Sequence, residues 1–168
     1  VRQWFRHRTW NPNEMSGRYT EMNQGFYEFP IERVGIQSTG NKQGRELEAA
    51  GVTGKLRRWA RDRIAAASRM MDRSYHTMLD ADVSREIART VLPLTTMTVF
   101  YGTVDLRNLL HFLHLRLDQA AQAEIRDYAE VLEKFVAEWV PVTYRAWVEH
   151  VRDRVVLSAS QAAILRIV

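Results

Sequence analysis

Three stretches with apolar residues at helical spacing restrict this chain more than any other feature of its sequence. In residues 55–79, 105–116 and 119–139, large apolar side chains recur mostly every three or four positions, with charged residues between them. That spacing places the apolar side chains on one face of an α-helix. The sequence therefore predicts three amphipathic helices, and the regular seam of the third predicts packing against another helix, within the domain or across a subunit interface.

The remaining segments show weaker patterns. Residues 30–54 contain five glycines and predict a loop, with room for one helical turn at 45–50. Asp82 is the expected N-cap of a short helix that Pro93 ends. Alternation or β-branched and aromatic content predicts three strands, residues 1–8, 20–29 and 94–103. Two further short helical segments are expected near the C-terminus, residues 144–152 and 158–168.

The composition limits the class of protein. A length of 168 residues, with 46% apolar and 26% charged residues, predicts one globular domain. No apolar run reaches the length of a membrane span and no signal-peptide pattern is visible, so we expect a cytoplasmic protein without membrane contact. Because the first residue is Val1, we also expect a preceding segment. Cysteine is absent, which excludes disulfides, thiolate metal sites and a thiol nucleophile.

Residues 3–19 carry the densest chemistry of the chain. They hold three arginines, one histidine and one carboxylate within seventeen residues. In a strand, Arg6 and Arg8 would share one face and His7 would point to the other. A guanidinium group pairs with two oxygens at once and stays charged, so this clustering favours a phosphate ligand.

The second half of that stretch is rich in turn-forming residues. Residues 11–17 are expected to leave backbone N–H groups and the Ser16 hydroxyl free for an anion, with Arg18 just beyond. Glu14 would accept a hydrogen bond from a ligand or hold one of the arginines. A solvated basic edge strand followed by an ordinary turn explains the same residues without a ligand.

Two other interpretations start from single residue types. Only three of the 24 basic residues are lysine, and three tryptophans lie near arginines, which also suits a basic nucleic-acid-binding or regulatory domain without catalysis. His111 and His114 stand three apart on a predicted helix, but two imidazoles without a nearby third ligand are a weak zinc signal. We therefore predict no metal site.

Arg6, His7, Arg8 and, after seven residues, Ser16 resemble the signature of the flavin-dependent thymidylate synthases. Neighbouring residues agree with the family pattern: Gln3, Glu14, Gly17, Arg18 and Tyr19. A second block of resemblance lies within residues 85–128 and includes Arg89, Arg107, His111 and Arg116.

The resemblance implies an α+β fold, with an antiparallel sheet and packed helices, as the subunit of a homotetramer. Residues 1–168 would form a single family domain that lacks the family's N-terminal segment. The implied reaction is reductive methylation of dUMP to dTMP, in which methylenetetrahydrofolate donates the carbon, FAD carries the hydride and NADPH reduces the flavin. The implied partners are thus dUMP and folate, with no nucleic acid.

The resemblance also implies residue roles. Contacts with dUMP are implied for Gln3, Trp4, Phe5, Arg6, Glu14, Met15, Ser16, Gly17, Arg18, Arg89 and Arg116. Contacts with FAD are implied for Arg6, His7, Arg8, Glu14, Asp105, Leu106, Arg107 and His111.

Three of these residues bear on the chemistry. Arg116 is the expected catalytic residue, because its charge would stabilise negative charge that develops on the uracil ring. Ser16 has no identifiable base, so we predict that it binds the nucleotide rather than attacks it. Asp105 stands where asparagine is familiar in the family, and a carboxylate cannot donate the hydrogen bonds of an amide.

Overall fold

The computed structural model describes residues 1–165, so the last residues of the predicted helical segment 158–168 lie outside the described part. The chain divides into two compact units. One consists of Val1 and residues 11–103, and the other of residues 2–10 and 104–168. The single domain expected from the length stays a prediction.

The first unit contains one long helix and two small antiparallel strand pairs. Its elements are β1 (Asn11–Glu14), β2 (Ile36–Gln37), β3 (Arg45–Glu46), α1 (Gly54–Asp80), α2 (Arg85–Ala88) with a following 3-10 turn (Arg89–Val91), and β4 (Phe100–Thr103). Thr53 caps α1, since its hydroxyl accepts a hydrogen bond from the Leu56 N–H at 3.1 Å. The helix predicted at residues 55–79 is confirmed.

The strands of the first unit differ from the predictions. β1 pairs with β4, with Asn11 opposite Thr103 and Glu14 opposite Phe100. A strand therefore stands where turn formers predicted a loop, and Pro12 is tolerated there because a two-stranded sheet has only edge strands. The predicted strand 20–29 shrinks to one bridge, Phe26 to Thr96. Gly25, with φ of 76°, bends the chain just before it.

Two local predictions in this unit were also wrong. Residues 45–50 do not form a helical turn, because Arg45 and Glu46 pair with β2 instead. Asp82 is not a helix cap. It takes a left-handed conformation, with φ of 59°, after the end of α1, and Ser84 is the residue that precedes α2.

The second unit is helical. Its helices are α3 (Leu106–Arg116), α4 (Ala123–Trp139), α5 (Pro141–Trp147) with a following π-helical turn (Val148–Arg152), and α6 (Ala159–Leu165). The predicted helix 105–116 is confirmed, whereas α4 begins four residues later than predicted. Pro141 ends α4 as expected, but it also begins α5, a position that suits its fixed φ.

The start of the chain was predicted as a strand, and this was wrong. Trp4–Arg6 form a 3-10 turn instead. The side chain of Trp4 is buried against Phe112 and Trp10 of the same unit, with ring centroids 4.7 and 5.0 Å away. Packing of one large aromatic ring outweighs the weak alternation of eight residues.

The fold is α+β with antiparallel strand pairs and packed helices, as the resemblance implied. Within residues 1–165, no helix is both long and apolar enough to cross a membrane.

Candidate active site

An aromatic cluster in the second unit fixes the beginning of the signature motif. Besides Phe112 and Trp10, the Trp4 ring meets Tyr128, with centroids 5.9 Å apart. Because the ring of Trp4 is buried in this cluster, any contact between Trp4 and a nucleotide is left to its backbone. Because the chain continues directly from Trp4, the cluster also fixes the position of the three residues that follow it.

His7 lies against the same cluster and accepts a hydrogen bond from α3 of the same unit. Its ring meets Phe112 edge to face, with centroids 4.7 Å apart. The Nε–H of Arg116, at the end of α3, donates a hydrogen bond to His7 Nε2 at 2.8 Å. An imidazole nitrogen accepts such a bond only when it carries no proton, so this contact requires a neutral His7 with its proton on Nδ1.

The surroundings of His7 favour that neutral form. Burial lowers the pKa of His7 below its usual 6.5, and the nearby charges of Arg116 and His111 lower it further. The hydrogen bond and the direction of the pKa therefore agree.

The cationic side chains around this contact face solvent. Arg6, Arg8, Arg107 and His111 are exposed. No carboxylate of the described residues forms an ion pair with any of these four. They are free to meet an anionic ligand.

Asp105 has a structural task. Its carboxylate caps α3 by accepting a hydrogen bond from the Asn108 N–H at 2.9 Å, and it also accepts one from the Asn108 side-chain amide. The backbone and side-chain hydrogen bonds from Asn108 lower the pKa of Asp105. An N-cap side chain only has to accept hydrogen bonds. A carboxylate can therefore take the place of asparagine at position 105 as a cap.

Gln3 is held from a neighbouring loop. Its amide Nε2 donates to the side-chain oxygen of Gln122, the residue before α4. Its own Oε1 is buried and has no hydrogen-bond partner among the described residues. A buried acceptor without a partner is energetically costly.

In the first unit, β1 leads directly into the second half of the signature. The Met15 N–H donates to Val99 O at 2.9 Å and so extends the pairing of β1 with β4. Ser16 then starts a turn, since its carbonyl accepts from the Thr20 N–H at 3.0 Å and its hydroxyl from the Arg18 N–H at 3.3 Å. Glu14, at the end of β1, is exposed.

Two arginines flank the buried Gly17. A Cβ added there would lie 3.3 Å from Arg89 Cδ and 3.2 Å from Met22 Cγ, so the backbone of Gly17 lies against both side chains. Arg18 forms an exposed ion pair with Glu86, Nη2 to Oε2 3.4 Å. The turn, two guanidinium groups and a competing carboxylate thus share one surface of this unit.

The predicted site residues therefore fall into two groups. The second unit holds Gln3 to Arg8, Asp105 to Arg107, His111 and Arg116, and the first unit holds Glu14 to Arg18 and Arg89. Sequence reasoning missed Glu86 and Gln122, because nothing in the sequence marks a partner 68 or 119 positions away. Among the described residues, no group of three histidine, aspartate or glutamate side chains is placed to hold a metal ion.

Comparison with known proteins places this arrangement in a family. Proteins named Flavin-dependent thymidylate synthase are 42% identical to the chain in Wolbachia pipientis wMel and 41% identical in Thermus thermophilus. A sequence profile described as Thymidylate synthase complementing protein matches residues 1–142. The chain belongs to the flavin-dependent thymidylate synthase family. The two relatives align with 99% of the chain, which spans only 57% and 58% of their own lengths.

Solved structures agree with the flavin-dependent thymidylate synthase assignment. The UMP/dUMP methylase PolB from Streptomyces cacaoi, bound with 5-Br dUMP, is 34% identical with a TM-score of 0.75, over 88% of this chain and 65% of that chain. The same methylase bound with 5-Br UMP is 35% identical with a TM-score of 0.77, over 88% and 67%. The resemblance seen in the signature residues is thus confirmed at the level of family and fold.

Proposed function

We propose that this chain acts in the reductive methylation of dUMP to dTMP, with methylenetetrahydrofolate as carbon donor and with FAD, reduced by NADPH, as hydride carrier. The observation that carries the proposal is the family match over residues 1–142, which includes the whole signature from Arg6 to Ser16. A cytoplasmic homotetramer is part of the proposal.

The anionic end of dUMP belongs, in this proposal, to the turn at Ser16 and Gly17. Arg18 and Arg89 bring two guanidinium groups to that turn, and a guanidinium fork matches two phosphate oxygens. Glu86 holds Arg18 only through an exposed ion pair, and such pairs contribute about 0–1 kcal/mol. A phosphate dianion can therefore displace Glu86 at little cost.

Arg18→Ala is expected to weaken dUMP binding much more than FAD binding. A hydrogen bond to a charged group contributes about 1.5–3 kcal/mol, so roughly a ten- to hundredfold loss of dUMP affinity should follow. Calorimetric titration of the purified variant with each ligand measures both affinities. Equal loss of both would show that the substitution disturbs the fold rather than one binding site.

Glu86→Gln is the matched control for that experiment. It removes the carboxylate that competes with phosphate while keeping the size of the side chain, so dUMP affinity should stay the same or rise a few fold. A large loss of dUMP affinity in this variant would mean that Glu86 helps to bind the nucleotide instead of competing with its phosphate.

The FAD site is assigned to the second unit. The exposed Arg6, Arg8, Arg107 and His111 fit a dinucleotide, because they offer donors to its phosphates without a competing carboxylate. Glu14, which the resemblance also implies as an FAD contact, lies in the first unit. When bound, the flavin supplies hydride transfer. The chain's own task is to bind and orient it.

His111→Ala is expected to weaken flavin retention and to create no dependence on metal. The exposed imidazole lies five residues before Arg116 on α3, where it can donate to a phosphate. Flavin absorbance after gel filtration, with and without added zinc, measures the effect. Recovery of activity with zinc would instead identify His111 as a metal ligand.

Arg116 has the chemical role in this proposal. This chain has no cysteine, so none of its own residues can attack the uracil ring as a thiol. Arg116 uses its Nε–H on His7, and its two Nη groups form no hydrogen bond within the described residues. That free edge can stabilise negative charge on a ring oxygen while the ring reacts.

The proposed assembly is supported by the surface of α4. Phe135 and Trp139 are 62% and 72% exposed, and with Leu109 and Leu132 they line an apolar groove. Large exposed aromatic side chains in one patch are typical of protein interfaces. Only part of the apolar seam of α4 packs within the domain as predicted. Contact with another subunit would cover the exposed part of the seam.

One observation separates this enzyme from the alternative of a nucleic-acid-binding domain. Purification with added FAD should give a yellow protein whose flavin spectrum changes when dUMP is added. A colourless protein that retards oligonucleotides in a gel would support the alternative.

A further inference from the structure

The contact between His7 and Arg116 joins the two predicted binding sets within one unit. His7 belongs to the set implied for FAD, and Arg116 is the residue implied to lie against uracil. Their hydrogen bond, 2.8 Å from Nε to Nε2, spans 109 positions of sequence. Contact of His7 with the flavin would not explain why His7 Nε2 accepts a hydrogen bond from Arg116.

We propose that His7 is a positioning residue, which holds the guanidinium plane of Arg116 in its reactive orientation by accepting a hydrogen bond from Nε. This inference rests on the proposed function and adds a residue to its chemistry. A guanidinium on a flexible side chain loses entropy when it is fixed, and a bond at Nε removes that cost before the substrate binds. Phe112 in turn fixes the imidazole, since it is fully buried and packs against the ring edge.

The geometry also decides which edge of Arg116 is offered to the substrate. With Nε engaged, the two Nη groups form the remaining two-point donor. A substrate oxygen is therefore met end-on. A hydrogen bond could not orient a lysine in the same way, because its ammonium group has no second donor fixed in a plane.

The positioning depends on the protonation of His7. Protonation would remove the acceptor and place two cations at hydrogen-bond distance. The charged or titratable groups facing this imidazole are Arg116 and His111, both on α3, and they lower its pKa together with burial. The hydrogen bond is therefore intact above the pKa of His7 and is lost as the pH falls through that value, which lies below 6.5.

Three variants test the proposal. His7→Ala removes the acceptor, and His7→Gln replaces it with an amide oxygen that accepts at every pH. His114→Gln is the matched control. His114 is exposed, lies on α3 together with Arg116, and has no role in the proposed site. Single-turnover methylation and dUMP affinity are measured for each protein between pH 5 and 8.

We expect His7→Ala to slow the methylation step roughly ten- to hundredfold while dUMP affinity changes less, as for the loss of one hydrogen bond to a charged group. His7→Gln should stay within a few fold of the wild type at neutral pH and lose the acid limb of its pH profile. The control should keep both the rate and the acid limb. The proposal is overturned if His7→Gln is as slow as His7→Ala, or if it retains the wild-type acid limb.

A second readout needs no catalysis. The side-chain nitrogens of His7 can be titrated by NMR in the wild type and in Arg116→Gln. Loss of the neighbouring cation should raise the pKa of His7 toward its usual value. An unchanged titration would contradict the contact itself. If the pKa of His7 differs between the two proteins as expected while the wild type forms no dTMP, that result would contradict the proposed function and, with it, the positioning role.

Discussion

Arg116→Lys is expected to slow the methylation step about a hundredfold, equivalent to about 3 kcal/mol of lost transition-state stabilisation. Lysine keeps the positive charge but loses both the planar pair of Nη groups and the Nε–H that His7 accepts at 2.8 Å. Affinity for dUMP should fall much less, because the phosphate is assigned to Arg18 and Arg89. Reduction of the flavin by NADPH should persist, since that half-reaction involves no uracil.

Rapid-mixing experiments that follow flavin oxidation and dTMP formation separately distinguish these effects. Arg126→Lys is the control, because Arg126 lies in the same unit and, within residues 1–165, its side chain contacts only the Gln119 carbonyl and Glu130. It should leave both rates unchanged. If Arg116→Lys also leaves the methylation rate unchanged, Arg116 has no part in the chemistry.

Phe112→Ala is expected to lower the free energy of unfolding by about 3–5 kcal/mol, the usual cost of removing a buried phenyl ring. The Phe112 side chain is fully buried and lies at the centre of the aromatic cluster, with Trp4 and His7 each 4.7 Å away. Its loss leaves a cavity beneath the start of the signature motif. Denaturant unfolding, followed by tryptophan fluorescence, measures the change.

Leu115→Ala is the control on the same helix. Leu115 is 42% exposed, so its truncation removes fewer contacts and should cost less than half as much. A loss below about 1 kcal/mol for Phe112→Ala would show that the aromatic cluster does not stabilise this unit.

The helices could be predicted because their signal is local. In α1 and α3, apolar spacing and the residues at their ends place the boundaries within one residue of those observed. α4 begins later than its apolar seam, because Asp118 caps a separate turn by accepting from the Ala120 N–H at 2.7 Å. Spacing alone does not register such a turn.

The strands could not be predicted equally well, since their partners lie far away in the sequence. β1 exists because residues 11–14 meet residues 100–103, and its own composition indicates a turn. Conversely, residues 1–8 alternate like a strand but find no partner strand in the described part of the chain, and the burial of Trp4 draws them into a helical turn. Pairing and packing at long range decided both cases.

The candidate site followed the same division. The resemblance supplied the identities of the predicted binding residues. His7 is half-buried whereas Arg6 and Arg8 are exposed, but these residues do not form the predicted strand. No sequence pattern indicated the bond between His7 and Arg116, the ion pair between Arg18 and Glu86, or the capping role of Asp105. Each of these depends on which side chains the fold brings together.

The most direct test of the proposed function is to measure dTMP formation. The purified protein is incubated with dUMP, methylenetetrahydrofolate, FAD and NADPH, and the product is separated by chromatography; parallel reactions omit one component each. We expect dTMP in the complete mixture and none when dUMP, the folate or the reductant is left out. Binding of both dUMP and FAD without any dTMP in the complete mixture would contradict the proposed function.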